Sequence, residues 1–446
     1  MSTDRGRPRA ASGQPGEAMS HEPQALSPHM TTAQARDSGL FAWWFTASSR
    51  ARRALAAGFF GWMLDAFDVQ LYAMVLAALM VGLHLSPTTA GALGSATLVA
   101  SAVGGIVFGF VADRYGRRVA LMASVLIYSV FTGACGLART VGQLVVFRVL
   151  LGLGMGGEWA SGAALVSETW PAEHRGKALG FMQSAWAVGY GAAALVTMLV
   201  LPMWGWRAVF FVGVLPALFT VWVQRRVEEP EIWLARRTAP RAARGRFRDI
   251  FRGQLLRATV PVTLMNACTM FAYWGFNLWV PAYLGLPVDQ GGVGLSARVM
   301  SGLVIVMQVG TWFGYVTFGV ISDRFGRKRT YVVYLLAAAV LLALYGVSRQ
   351  PLALLVLGPF VAFFSTGYYS GFGAVTAEIY PTDVRAKAQG FTYNIGRLAS
   401  AVAPFTVASL AQSHGFGVAF LVAALAFVVA AILWIWIPET KGKALD

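Results

Sequence analysis

Long apolar runs separated by short polar stretches recur along this chain from Ala54 to Ile437. Crossing the hydrocarbon of a bilayer takes ~20 residues of helix, and the runs have about that length. They fall at 54–81, 89–112, 119–138, 141–164, 177–201, 207–224, 258–284, 299–321, 330–347, 352–377, 387–411 and 416–437. Backbone amides in hydrocarbon must bond within their own segment, so spans this long predict helices rather than a barrel. The pattern predicts an all-α integral membrane protein with twelve transmembrane helices.

The polar exceptions inside those spans carry the chemistry. The first span holds Asp65 and Asp68, three residues apart and therefore on one helix face. An acid at the centre of a membrane helix costs about 2.5–3.5 kcal/mol on the insertion scale, so that face should look into the protein. A buried carboxyl group can take up and release a proton, which is what coupling to a proton gradient requires. Asp68, the deeper of the two, is the favoured carrier, and a structural pair is the plainer alternative. Two cations are also buried by sequence position, Arg148 in span four and Arg397 in span eleven. Arg397 stands about ten residues inside its span, too deep to reach the surface easily. Its fork of donors suits a carboxylate, whether on a substrate or on the protein. Neighbouring Tyr393 and Asn394 share its segment.

Polar and aromatic residues at helical spacing mark further walls of a central cavity. Gln183, Trp186 and Tyr190 form one such stripe in span five, Tyr273 and Asn277 another in span seven, and Gln308 and Trp312 a third in span eight. Trp204 and Trp434, near span ends, read instead as interfacial anchors.

Charge alters this picture by its placement. The chain of 446 residues is 57% apolar and 13% charged, with a net charge of +16. With twelve spans both termini share one face, and 30 of the 36 Lys and Arg residues lie there, against four opposite and two inside spans. That bias puts the termini and the central linker in the cytoplasm, anchored in the cell's inner membrane, and removes the case for nucleic-acid binding. The first 50 residues are polar and read as disordered, and the long first span with its two acids does not read as a cleavable signal peptide. Cys135 and Cys268 have no metal or disulfide spacing, the five His are scattered, and no Ser-His-Asp set occurs. No metal, cofactor or enzymatic chemistry is expected. The literal G-x-G-x-x-G at 152–157 lacks a preceding strand and reads as close helix packing.

The chain also repeats itself. Gly109-Phe-Val-Ala-Asp113-Arg114-Tyr-Gly116-Arg117-Arg118 recurs 210 residues later as Gly319-Val-Ile-Ser-Asp323-Arg324-Phe-Gly326-Arg327-Lys328. At the same shift, Glu168-Thr-Trp-Pro171-Ala-Glu-His-Arg175 matches Glu378-Ile-Tyr-Pro381-Thr-Asp-Val-Arg385. Two motifs at one offset describe two parallel six-helix bundles around a midplane site. The expected organisation is a disordered tail over 1–53, bundles over 54–224 and 258–437, a basic linker over 225–257, and a short tail over 438–446. The duplicated set Asp113, Arg114, Arg117, Glu168 and Arg175, with its copy Asp323, Arg324, Arg327, Glu378 and Arg385, reads as gating chemistry. Its carboxylates and Arg residues would clamp the two halves on the cytoplasmic side.

On these loop motifs the chain resembles the major facilitator superfamily over about residues 54–443. Glu228-Glu229-Pro230-Glu231 and Pro438-Glu439-Thr440-Lys441-Gly442 resemble the half-end motifs of its sugar porters and metabolite–proton symporters. Asp65-Ala66-Phe67-Asp68 resembles a signature of the sialate and carboxylate proton symporters. The resemblance implies alternating access by rocking halves, with Arg148 tied to proton transfer and tuning the aspartates; Arg397, by its own depth and fork, is expected to receive the anion. Glu158, ten residues beyond Arg148, stays open between that chemistry and an ion pair used in packing or gating. The expected function is proton-coupled symport of a small organic anion by a functional monomer, its partners being the acid, protons and lipid. A sugar or polyol porter and a non-transporting membrane sensor are the alternatives.

Overall fold

A computed structural model describes residues 44–45, 47–231, 234, 247–381 and 384–441. The expected tail over 1–53 lies mostly outside the described residues, although helix has already begun at Ser49. Among the described residues all regular structure is helical. The first half comprises α1 (Ser49–Gly82), α2 (Pro87–Tyr115), α3 (Arg117–Leu137), α4 (Val141–Thr169), α5 (Ala172–Val212) and α6 (Phe219–Arg226). After a short turn at Phe247–Phe251, the second half runs through α7 (Gly253–Gly285), α8 (Ala297–Phe325), α9 (Arg327–Val347), α10 (Pro351–Thr366), α11 (Tyr369–Ile379), α12 (Arg385–Ser400), α13 (Ala403–His414) and α14 (Phe416–Leu433).

Ten described helical segments are long and apolar enough to cross a membrane. One of them, His174–Arg226, runs 53 residues. At 1.5 Å per residue that is roughly 80 Å, more than twice the hydrocarbon thickness. Gly205, at φ +74°, breaks it, so it makes two crossings. The broken pair α12–α13 supplies another, and the twelve-helix architecture is complete. Span ten is likewise split, between α10 and α11.

The repeat is built into the backbone. Ser86 Oγ accepts from Thr89 N at 3.1 Å and starts α2, and Ser296 Oγ does the same for Val299 N at the start of α8. Gly116 and Gly326 turn the chain into α3 and α9 at φ +114° and +98°, a region L side chains rarely adopt. A Cβ on Gly104 would lie 2.1 Å from the Leu153 carbonyl oxygen, and one on Gly314 would lie 2.6 Å from that of Phe363. Both contacts sit at the 210-residue shift, so each half closes α2 on α4, or α8 on α10, through a side-chain-free position.

Between the halves, α5 packs along α8, α2 along α13 and α1 along α7. The α2–α13 contact sits away from the chain termini, where Gly91 backs onto the Pro404 carbonyl. Trp279 Nε1 donates to that same carbonyl at 2.9 Å. Trp434, expected at the membrane interface, is instead fully buried against Tyr331. Helix α14 ends there by turning inward, which a span-end position in the sequence does not reveal.

Candidate functional site

Asp65 and Asp68 point inward from α1, as membrane acids should, and both are buried. They serve different neighbourhoods. Asp65 faces Glu158 of α4 and Arg397 of α12, and Arg397 acts electrostatically on both carboxylates. Gly61, one turn before Asp65, makes room for Glu158: a Cβ there would meet Glu158 Oε1 at 2.5 Å. Neither carboxylate has a hydrogen-bond partner among the described residues. Asp68 lies deeper in the first half, beside Thr132 and Gly213. Two carboxylates from one half and a guanidinium from the other thus share one buried centre.

Arg148 is not part of that centre. Its guanidinium lies 3.8 Å from the centroid of the Tyr72 ring, and it forms no ion pair among the described residues. Seven residues from the start of α4, Arg148 sits at the level of Tyr72, one turn beyond Asp68 on α1, and takes the aromatic face.

Beside the carboxylates a small cavity opens between the halves. Of the expected wall, Gln183, Trp186, Tyr273, Tyr393 and Arg397 line it. Trp62, Met270, Trp274, Tyr315 and Tyr369 complete it. Arg397 is its one charged lining residue, set among aromatic rings. Trp62 and Trp186 lie tilted at 44° with 4.8 Å between centroids, and Trp274 meets Trp186 edge-on at 6.0 Å. Trp159 of α4 stacks flat on Tyr393 of α12 at 4.7 Å and 7°, while its Nε1 donates to Gln183 Oε1 at 3.3 Å. That stack joins the two halves beside the cavity.

The other expected wall residues lie elsewhere. Tyr190 donates its hydroxyl across the seam to the Asn277 carbonyl at 3.1 Å, and Asn277 donates to the Tyr273 carbonyl at 3.1 Å. Asn394 donates to the Gly390 carbonyl at 2.9 Å. Gln308 is buried beside Gly191, and Trp312 rests edge-on against Phe313. Spacing puts these residues on shared faces with cavity residues, but helix rotation turns them into the seam between halves. Trp62, Met270 and Tyr315 were not legible as wall residues. Glu158 had a signal, as an acid inside a span, and its role came only with the packing of α1 on α4.

The duplicated motifs form two matching networks on the face that carries the termini. Arg117 holds Asp113 at 2.7 Å and Glu168 in a fork at 3.0 and 3.3 Å. Arg327 holds Asp323 at 2.6 Å and Glu378 at 3.0 and 3.3 Å. The clamp was expected between halves; these bonds run within each half, because each Arg lies back along its own bundle and reaches the end of its own fourth helix. Arg114 and Arg324 lie over the rings of Tyr115 and Phe325. Arg175 is half-buried at the start of α5, and Arg385 Nε donates to the Tyr380 carbonyl at 3.1 Å.

The half-end acids complete the networks, a role the sequence reading missed. Glu229 accepts from the backbone N–H of Arg117 at 2.7 Å and Arg118 at 3.0 Å. Glu439 accepts likewise from Arg327 at 2.9 Å and Lys328 at 3.1 Å. Each carboxylate, just past the last helix of its half, caps the third, α3 or α9, at the positive end of the helix dipole. Residues 229 and 439 stand 210 apart, so the repeat held the signal. Partial burial pushes the Glu439 carboxyl up, but N–H groups of Lys441, Arg327, Lys328 and Thr440 outweigh it and hold it below the usual range. A carboxyl held low in the folded state adds stability above its unfolded pKa of about 4.3, and that contribution disappears as pH falls through the folded value. Glu439→Gln should therefore lower the melting temperature at neutral pH, with the gap to wild type closing in acid. Melting curves across a pH series check this, and a gap that widens in acid would refute it.

The sequence profile of the Major Facilitator Superfamily matches residues 58–311 and 286–446. A putative metabolite transport protein of Haemophilus influenzae is 35% identical over 407 residues, covering 88% of this chain and 98% of that protein. The sialic acid transporter NanX of Escherichia coli is 30% identical over 394 residues, covering 88% and 95%. The xylose transporter XylE of E. coli, in a partially occluded inward open conformation, superposes with a TM-score of 0.73 at 22% identity, covering 89% of this chain and all of that one. At that identity the likeness is one of fold.

Proposed function

The chain belongs to the Major Facilitator Superfamily, and from that membership we propose that it is a proton-coupled symporter of a small organic anion. It is a multi-pass membrane transporter, and the excess of Arg and Lys on the terminal face supports a cytoplasmic location for both ends, in the inner membrane. One observation carries the substrate reading: Arg397 is the one charged residue on the cavity wall, and it faces Asp65 and Glu158 from the opposite half. A guanidinium can hold a carboxylate in a two-pronged grip. The sialic acid carried by the relative from E. coli is compatible with such a receptor.

Charge bookkeeping supplies the coupling. Each anion that enters this low-dielectric centre brings one negative charge and draws Arg397 away from the two protein carboxylates. A proton taken up by Asp65 or Glu158 at the same moment keeps the charge of the centre constant. Rocking of the halves then carries acid and proton together. Asp68 stands one turn farther along α1 as a second proton-holding position.

The test is uptake by purified protein in proteoliposomes, with labelled carboxylates and sugars offered at an acidic and an alkaline external pH. The proposal expects at least one carboxylate to accumulate, faster with acid outside, and no sugar to do so. Sugar uptake without carboxylate uptake would transfer the site to a sugar porter.

A further inference from the structure

A second, smaller cavity, with room for about one water in this conformation, lies between the halves on the side away from the termini. Its one charged lining residue is Arg148. Thr97 and Gly94 of α2, Leu278 of α7 and Pro404 of α13 form much of the remaining wall. Arg148 is 2% exposed. Tyr72 covers one face of its guanidinium, while Nε and Nη1, which point outward in the guanidinium plane, make no hydrogen bond with any described residue. Buried cations are held by a counter-charge, by hydrogen bonds, or by both, and the ring satisfies neither donor. Thr97 does not serve them, since its hydroxyl donates to the Leu93 carbonyl at 2.9 Å. Trp274 lines this cavity and also the one holding Arg397. The two guanidinium sites, one from each half, thus border the same indole.

We propose that Arg148 is a second carboxylate-binding station, nearer the side away from the termini, which receives the substrate's anionic group before Arg397 does. The walls come from α2 and α4 of one half and α7 and α13 of the other, so separation of the halves on that side would open the station to solvent. The planar fork of Arg148 is matched to a carboxylate more closely than to a spherical ion. The role as substrate relay rests on the organic-anion reading above; the anion site itself does not.

Crystals of the full-length protein soaked in sodium bromide, with and without competing sodium acetate, test the site directly. The expected result is an anomalous peak in contact with Arg148 Nε and Nη1, displaced by acetate and absent from Arg148→Met. No peak there overturns the proposal, and a peak that acetate leaves in place marks an adventitious ion only, which also overturns it. If acetate displaces the peak while no carboxylate is taken up in the proteoliposome screen, the station stands and the symport reading falls. For a carboxylate that is taken up, Arg148→Lys should raise the half-saturating external concentration by about tenfold or more, since a point charge replaces the fork. It should leave acid stimulation in place. Lost acid stimulation with unchanged affinity would make Arg148 a proton-relay residue and overturn the proposal.

Discussion

Replacing Arg397 with Ala should raise the anion concentration for half-maximal uptake by about tenfold to a hundredfold. A charge-assisted hydrogen-bonded pair contributes about 1.5–3 kcal/mol, and each 1.4 kcal/mol is a factor of ten in affinity. The effect should fall on binding rather than on folding, because Arg397 lines an open cavity and has no ion pair within 4.0 Å among the described residues. Removing it nevertheless leaves Asp65 and Glu158 facing each other without a counter-charge. Uptake by Arg397→Ala should therefore also need a more acidic medium, as a proton must do what the guanidinium did. Concentration series at two external pH values measure both effects. Unchanged affinity at both would remove Arg397 from the substrate site.

Asp65→Asn should abolish accumulation while sparing exchange. Asn has the shape and neutrality of a protonated Asp, so the carrier can still bind anion and rock, but it can no longer release a proton. For one proton per monoanion, wild type can concentrate substrate about tenfold for each unit of pH gradient, the equivalent of 1.36 kcal/mol. The variant should bring internal and external concentrations to equality and still show counterflow of labelled for unlabelled acid. Accumulation at the wild-type level would exclude Asp65 as the coupling group. Loss of accumulation in Asp68→Asn alone would move the role one turn along α1.

These assignments depart in one respect from what the residues alone support. Along the chain, Asp68 is the more deeply placed acid, and Arg148, as the nearer motif cation, is its expected partner. Folding brings Arg397 from the other half toward Asp65 and leaves Arg148 over the Tyr72 ring. Which cation meets which acid depends on helices some 250 to 330 residues apart in sequence, and helical periodicity reports only the face on which a residue sits. The same gap explains Tyr190 and Asn277: Tyr190 reaches across the seam to the Asn277 carbonyl, and the Asn277 side chain bonds within its own helix, rather than lining the cavity.

Local chemistry by itself determined the membrane class, the twelve crossings, the duplicated bundle and the surplus of positive charge at one face. Each follows from interactions with solvent or lipid, or between near neighbours, which residue type and spacing encode directly. The membership of the copied networks around Arg117 and Arg327 was legible because the repeat places every member at one offset, but the forks from each Arg to the glutamate of its own half were not. Only the tertiary structure decided that Glu158 joins Asp65, that Arg397 rather than Arg148 answers them, and that one indole borders both guanidinium cavities. Those outcomes depend on how two rigid bundles rotate and seat against each other, and that seating is set by shape complementarity summed over long interfaces that no short stretch of sequence contains.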